Sequence, residues 1–396
     1  MGMLHDVFPN LQYLTVDTND ANSYGDENLY TQLPLLKSLK SLHVKGDVSH
    51  DDRQLSLTNC SNIGQCLSLE CLSIRLPQFG VVDVSHFSTL VNLRSLDLRN
   101  SESECIGGLE VVLAELTELR ELKISRLRGH DEELTLKSST LTTLTLGSCR
   151  CRCLPDPHLL PALQELHVQH LTLEWDGRDV VSERDACAAL QQMCDVPSFS
   201  CGTFKVREEL YMGKSSCSGL LQALTDCCIS PRCLPSLAQL DVCLTEILPH
   251  ELLQLSELFP SEVACVHYLD DRQQDFPLKC TLAEAVQAFP DVSELLVCPP
   301  AHNDNAFSFA SFTGSVFVTC ATAWEQERSK EHLLISIKPS VHDGGSYQAY
   351  QLFAETWTHY ATCMVYEDVQ PEMPIKVDLQ VTNPDNFSPS DSFLDG

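Results

Sequence analysis

LRSLDL, residues 93–98, decides the fold, because the same phrase returns along most of the chain. Written L-x-x-L-x-L, with Val or Ile replacing some leucines, it begins at Leu11 (LQYLTV), Leu39 (LKSLHV), Leu69 (LECLSI), Leu93, Leu119 (LRELKI), Leu141 (LTTLTL) and Leu163 (LQELHV), at steps of 28, 30, 24, 26, 22 and 22 residues. Three further copies begin at Leu237 (LAQLDV), Val263 (the degraded VACVHY) and Val292 (VSELLV), 26 and 29 residues apart. In a strand, residues two apart share a face, so Leu96 and Leu98 point inward while Ser95 and Asp97 point out. Leu93 enters the core just before the strand. The chain must then return, and GLEVVLAE predicts a helix over Gly108–Glu115. No unit buries its leucines alone. Stacked units bury them continuously, each Leu contributing about 1.5–3 kcal/mol.

Two copies, LQYLTVDTN ending at Asn19 and LTTLTLGSC ending at Cys149, complete the longer pattern L-x-x-L-x-L-x-x-N/C. On these residues the chain resembles the leucine-rich repeat family. The resemblance implies an α/β solenoid, a horseshoe with a parallel concave sheet, a helical convex side and a divergent C-terminal cap. The ninth position departs from the family at Asp47, Pro77, Ser101, Leu127, Leu171, Thr245, Asp271 and Pro300. The irregular, roughly 26-residue spacing is similar to that of substrate-binding subunits of ubiquitin ligases with an F-box. No F-box-like helical segment precedes Leu11, and FPNL from Phe8 already lies inside a repeat, which leaves room for an adaptor-binding segment before Met1.

The expected organisation is a repeat array over 1–300, a divergent αβ continuation or cap over 301–384 and a disordered tail over 385–396. The step from Leu163 to Leu237 is 74 residues, so two disguised copies are expected inside it. There ERDACAALQQMC (183–194) reads as a helix, FKVREELYM from Phe204 as a strand and SGLLQALTDC from Ser218 as a helix. After Pro300 the phrase disappears. HLLISIKP around Leu334 and IKVDLQV around Val377 read as strands, with a helical SYQAYQLFAETWTHYA between them.

Lys plus Arg number 26 against 55 Asp plus Glu, a formal charge of -29, which disfavours nucleic acid and anionic membrane surfaces and suits a neutral or basic protein partner. Twenty cysteines are spread over 396 residues with no signal peptide, so reduced thiols and a cytoplasmic location are expected, with nucleus or cytoskeleton as alternatives. Without that signal, the glycosylation patterns at Asn59 and Asn386 carry little weight. No membrane-spanning run and no myristoylation signal is present, Asp6 standing where the latter needs Ser or Thr.

No enzyme motif survives inspection. MGKSS at Met212 lacks the glycine of a phosphate-binding loop, since that position is Glu208. H-E-x-x-H and G-x-S-x-G do not occur. Cys149, Cys151 and Cys153 with His158 have the residue types of a Cys3His zinc site, but one residue between ligands is tighter than the usual two to four, so no metal and no cofactor is expected. His342-Asp343-Gly344-Gly345 reads as a turn, and Trp324 and Trp357 as packing residues.

The third and fifth positions of the phrase point out. Five of these twenty residues are acidic and one is basic. The expected partner-binding patch is Asp97, Glu121, Lys123, Glu165 and His167 around Thr143 and Thr145. The function expected is a non-catalytic protein–protein interaction scaffold, not an enzyme, and the resemblance implies substrate recognition in a ubiquitin ligase. Two alternatives stand beside it: an enzyme or metal protein with its chemistry after residue 300, and a structural component of a cytoskeletal assembly.

Overall fold

The computed structural model describes residues 4–17, 26–45, 57–75, 84–98, 109–127, 136–175, 180–193, 195–208, 217–227, 234, 237–244, 246–267, 279–289, 292, 294–298, 332–337 and 376–381. The chain divides into two compact units. The first comprises 1–172, 185–202 and 232–236, and the second 173–184, 203–231 and 237–396. The expected division at residue 300 falls inside the second unit.

In the first unit β1 (Tyr13–Asp17), β2 (Ser41–Lys45), β3 (Cys71–Arg75), β4 (Ser95–Leu98), β5 (Glu121–Leu127), β6 (Thr143–Arg150) and β7 (Glu165–Trp175) pair in sequence order, all parallel. In the second, the part of β8 (Ser198–Glu208) from residue 203 onward, β9 (Gln239–Cys243), β10 (Val263–His267), β11 (Glu294–Cys298), β12 (His332–Ile337) and β13 (Lys376–Val381) do the same, while residues 198–202 of β8 belong to the first unit and residues 173–175 of β7 to the second. Parallel neighbours need a crossover. It is supplied by α2 (Asp26–Gln32), α3 (Leu57–Gly64), α4 (Leu109–Glu115), α5 (Val180–Met193), α6 (Ser218–Asp226), α7 (Pro249–Leu258) and α8 (Leu282–Ala288), with 3-10 turns at Val84–Thr89 and Pro157–Leu159 in other intervals, while α1 (Leu4–Val7) precedes β1. The helix expected over Gly108–Glu115 is α4. No helix among the described residues is long and apolar enough to cross a membrane.

A recurring turn opens most phrases, but at Leu141 the N–H donates to the Ser138 hydroxyl at 3.2 Å instead. In the recurring form the N–H of the first leucine donates to a carbonyl three residues back, as in Leu39 to Leu36, Leu69 to Cys66, Leu93 to Leu90 and Leu119 to Leu116. This tight turn aims the strand. The N–H groups of the second and third positions then share one carbonyl of the preceding phrase, Arg94 and Ser95 on Glu70, Arg120 and Glu121 on Arg94, Thr142 and Thr143 on Arg120. Side chains just before the phrase tie successive turns together: Ser68 Oγ donates to the Leu39 carbonyl (2.8 Å), Asn92 Nδ2 to Leu67 (2.9 Å) and Thr140 Oγ1 to Leu119 (3.0 Å). First, fourth and sixth positions are buried in most phrases, for example Leu69, Leu72 and Ile74, then Leu119, Leu122 and Ile124, whereas Leu11 and Leu14 of the first phrase are only half-buried.

Between β7 and Leu237 the described residues hold one strand, β8, where two copies were expected. That strand carries two frames. Val196 N–H donates to Met193 O, Ser198 N–H to Gln164 O, and Val196, Phe199 and Cys201 are buried, so residues 196–201 occupy the phrase positions beside β7. Thr203 is the Cα partner of Gln239, and Cys201, Phe204 and Val206 are buried, so residues 201–206 occupy them beside β9. The inward residues are Val, Phe and Cys instead of Leu, which hides both frames. The Phe204 and Phe259 rings meet with centroids 4.5 Å apart and planes tilted by 49°. Inward alternation shifts by one between Cys201 and Phe204, and Gly202 sits at the shift, where a Cβ would come 2.7 Å from the Gln169 carbonyl oxygen. Gly147 fills the same role on β6, its absent Cβ leaving room for the Ser125 carbonyl.

Candidate functional site

The register assembles the expected patch. Ser95, Glu121, Thr143 and Glu165 are successive Cα partners across β4–β7, and Asp97, Lys123, Thr145 and His167 form the next row. With strands about 4.8 Å apart, the two rows span about 14 Å. All seven expected residues therefore lie on one face of the sheet in the first unit.

Their charges are unevenly available. Ser95 Oγ donates to Glu121 Oε2 at 2.7 Å, and Lys123 Nζ lies 3.0 Å from Glu121 Oε1. Partial burial pushes the Glu121 carboxyl up, but the Ser95 and Lys123 hydrogen bonds and the Lys123 charge outweigh both burial and Asp97, leaving it below the usual carboxylate range. Thr143 Oγ1 donates to Glu165 Oε2 at 3.3 Å, and His167 Nδ1 is 2.6 Å from Ser200 Oγ. Glu165 and His167 are exposed, whereas Glu121, Lys123, Thr143 and Thr145 are half-buried.

Asp97 departs from the expectation of an outward, accessible position. It is only 6% exposed, because the Arg75 guanidinium closes over it from β3, with Nη2 at 3.1 Å from Oδ2, and Ser73 Oγ donates to the same oxygen at 3.4 Å. Asp97 supports the patch from beneath. Ser41, Ser73, Cys265 and Asp241, also at third or fifth positions, are likewise buried.

The second unit presents a different constellation at the same phrase positions. Lys205, Asp241, Cys265 and Leu296 are successive Cα partners. His267 follows Cys265 by two residues, on the same face of β10. Its Nε2 is 2.8 Å from Asp241 Oδ1 and 3.5 Å from Cys265 Sγ. Beside this group Arg207 Nη2 contacts Glu174 Oε1 at 2.7 Å. The sequence placed Asp241, Cys265 and His267 among outward positions but did not join them, because it starts that copy at Val263, whereas the register sets Cys265 opposite the fifth-position residues Asp241 and Leu296 and so starts the phrase at Ser261.

Cys149, Cys151, Cys153 and His158 do not gather their donor atoms into a ligand cluster among the described residues. Cys149 turns inward, and burial, reinforced by Cys153 and Cys201, pushes its thiol well above the usual range. Buried acids lie within the second unit instead: Glu251 and Glu183, then Glu246, join burial in raising the Cys217 thiol, opposed by Lys279. MGKSS at Met212, Trp324, His342–Gly345, Trp357, the helical candidate at 346–361 and the tail over 385–396 lie outside the described residues. So does the cap over 301–384 apart from β12 and β13, which coincide with its two expected strands.

Compared with protein-family models and with curated proteins, the chain matches none.

Proposed function

We propose that the chain is a leucine-rich repeat horseshoe that recognises a neutral or basic protein partner on its sheet face, without catalysis of its own. The observation that carries this reading is the pair of register-aligned polar rows across β4–β7, where a rigid parallel sheet fixes Glu121, Lys123, Thr143, Thr145, Glu165 and His167 in one accessible surface. Fixed side chains lose less freedom on binding, which favours recognition. A formal charge of -29 attracts a basic partner and raises its rate of encounter. Substrate recognition in a ubiquitin ligase is the finer form of the proposal. It is supported by the irregular repeat spacing and by fold-level likeness, not by a site.

The test is affinity capture from native lysate with the intact chain and with the Glu121→Lys, Glu165→Lys variant, partners being identified by mass spectrometry. Loss of a defined set of proteins in the variant, with ligase adaptors retained in both samples, is the expected result. Identical lists from both would remove the patch from the function, and cytoskeletal proteins alone would replace the ligase reading with an assembly role.

A further inference from the structure

Among the described residues one place gathers three potential metal ligands of different chemistry. Asp241, Cys265 and His267 bring a carboxylate oxygen, a sulfur and an imidazole nitrogen within 4.8 Å of one another. We propose that they bind a single zinc-class transition-metal ion on the sheet face of the second unit, independently of the partner-binding reading.

The local fold supplies the geometry. Cys265 and His267 alternate onto one face of β10, and parallel register sets Asp241 of β9 opposite Cys265. Zinc bonds of about 2.3 Å to sulfur and about 2.0–2.1 Å to nitrogen give a tetrahedral S···N edge of about 3.5–3.6 Å. Cys265 Sγ and His267 Nε2 are already 3.5 Å apart. The corresponding N···O edge is about 3.3 Å, so the Asp241–His267 contact, 2.8 Å, opens by about half an ångström to admit the ion. Backbone pairing holds both strands while side-chain torsions supply that movement.

Burial favours the ion as well. Cys265 is 3% and Asp241 9% exposed, so these donors are removed from water that would otherwise compete for them, while half-buried His267 leaves an entry path. A Cys, His and carboxylate set suits zinc or cobalt better than magnesium or calcium, which prefer oxygen alone. Binding releases the Cys265 thiol proton to solvent, and His267 ligates through Nε2 as the neutral imidazole with its proton on Nδ1. Water completes a tetrahedron. Lys205, the Cα partner of Asp241 on β8, is the neighbouring cation, and its charge opposes the ion.

The experiment uses the full chain, stripped of metal and titrated with Zn2+ and with Co2+ as the spectroscopic probe. One equivalent is expected to bind at this site, with a thiolate-to-cobalt charge-transfer band that disappears in Cys265→Ser. Asp241→Asn and His267→Ala should weaken zinc by more than the roughly 10- to 100-fold typical of losing an outer-shell partner. Lys205→Gln should tighten it. X-ray absorption of the zinc-loaded intact chain, which needs no variant to fold, should show one sulfur with nitrogen and oxygen neighbours. A sulfur count of none or of two or more would overturn the assignment, as would a cobalt band unchanged in Cys265→Ser.

Discussion

Arg75 on β3 and Asp97 on β4 are joined across the sheet, the guanidinium Nη2 and Nε lying 3.1 and 3.3 Å from the same carboxylate oxygen. The carboxylate is buried and the arginine is not, so the pair is asymmetric: truncating Arg75 removes the cation from a carboxylate that water cannot freely reach. Arg75→Ala should therefore cost about 1–3 kcal/mol in urea unfolding. Lys45→Ala, which removes an exposed partner of Asp17, should cost at most about 1 kcal/mol. Equal losses would show that burial of Asp97 does not govern the pair.

The inward half of this architecture was legible because its chemistry is redundant. Leu93, Leu96 and Leu98 each satisfy one requirement, apolar and inward, and the requirement returns in every phrase. The outward half is only partly legible. Asp97 and Asp241 alternate outward as read, yet neighbours on adjacent strands close over them, and which neighbour does so depends on the register. β8 was harder still, because two frames separated by five residues share Cys201 and contain no leucine at an inward position.

The face shift in the long strands depends on glycine for space rather than for an unusual dihedral. At Gly147 an added Cβ meets the Ser125 carbonyl, and at Gly202 it meets the Gln169 carbonyl at 2.7 Å. Both obstacles are backbone, which cannot rotate away. Gly147→Ala and Gly202→Ala should each destabilise by about 1–3 kcal/mol and speed amide exchange in β6–β8. Unchanged exchange there would show that the sheet absorbs the extra carbon.

Helix α8 begins with a reciprocal cap. Glu284 N–H donates to Thr281 Oγ1 at 3.3 Å, while Thr281 N–H donates to Glu284 Oε2 at 2.8 Å and Thr281 Oγ1 at 2.7 Å. Those two donations to the carboxylate, backbone first, hold Glu284 below the usual carboxylate range against slight burial. A depressed folded value stabilises the native state above the unfolded value of about 4.3 and is lost as pH falls through the folded value. The stability difference between the native chain and Glu284→Gln should thus be present at pH 7 and shrink below about pH 4. Thr281→Ala should cost about 1 kcal/mol at neutral pH. Both are read from chemical unfolding curves, and a pH-independent difference would exclude the charge of Glu284 from the cap.

The cysteines should separate by burial. Burial pushes the thiols of Cys66, Cys201 and Cys280 to about 12, despite the opposing Lys37 charge at Cys66 and a hydrogen bond to the Leu171 backbone at Cys201. Cys71, Cys153 and Cys227 are only half-buried. Since the thiolate is the reactive form, native-state iodoacetamide at pH 8 should label the second group first and reach the buried three only on unfolding. Mapping the modified peptides by mass spectrometry checks this, and early labelling of Cys201 would show that β8 opens locally.

Within the polar patch the two glutamates are not equivalent. Glu121 is half-buried and committed to Ser95 and Lys123, so much of its charge is balanced before any partner arrives. Glu165 is exposed, and its carboxylate accepts a hydrogen bond from the Thr143 hydroxyl, Oγ1 to Oε2 at 3.3 Å. A basic partner gains more from the second than from the first. Glu165→Gln should weaken binding several-fold, with a reduced salt dependence, because it removes an accessible charge. Glu121→Gln should act differently: it releases Lys123, adding a positive charge that repels the same partner, and it loosens the β4–β5 contact measured by amide exchange. Affinities measured at low and high salt for the two single variants and the double variant separate these effects. Equal losses with additive salt responses would mean that the partner reads net charge alone and that the geometry of the two rows contributes nothing to recognition.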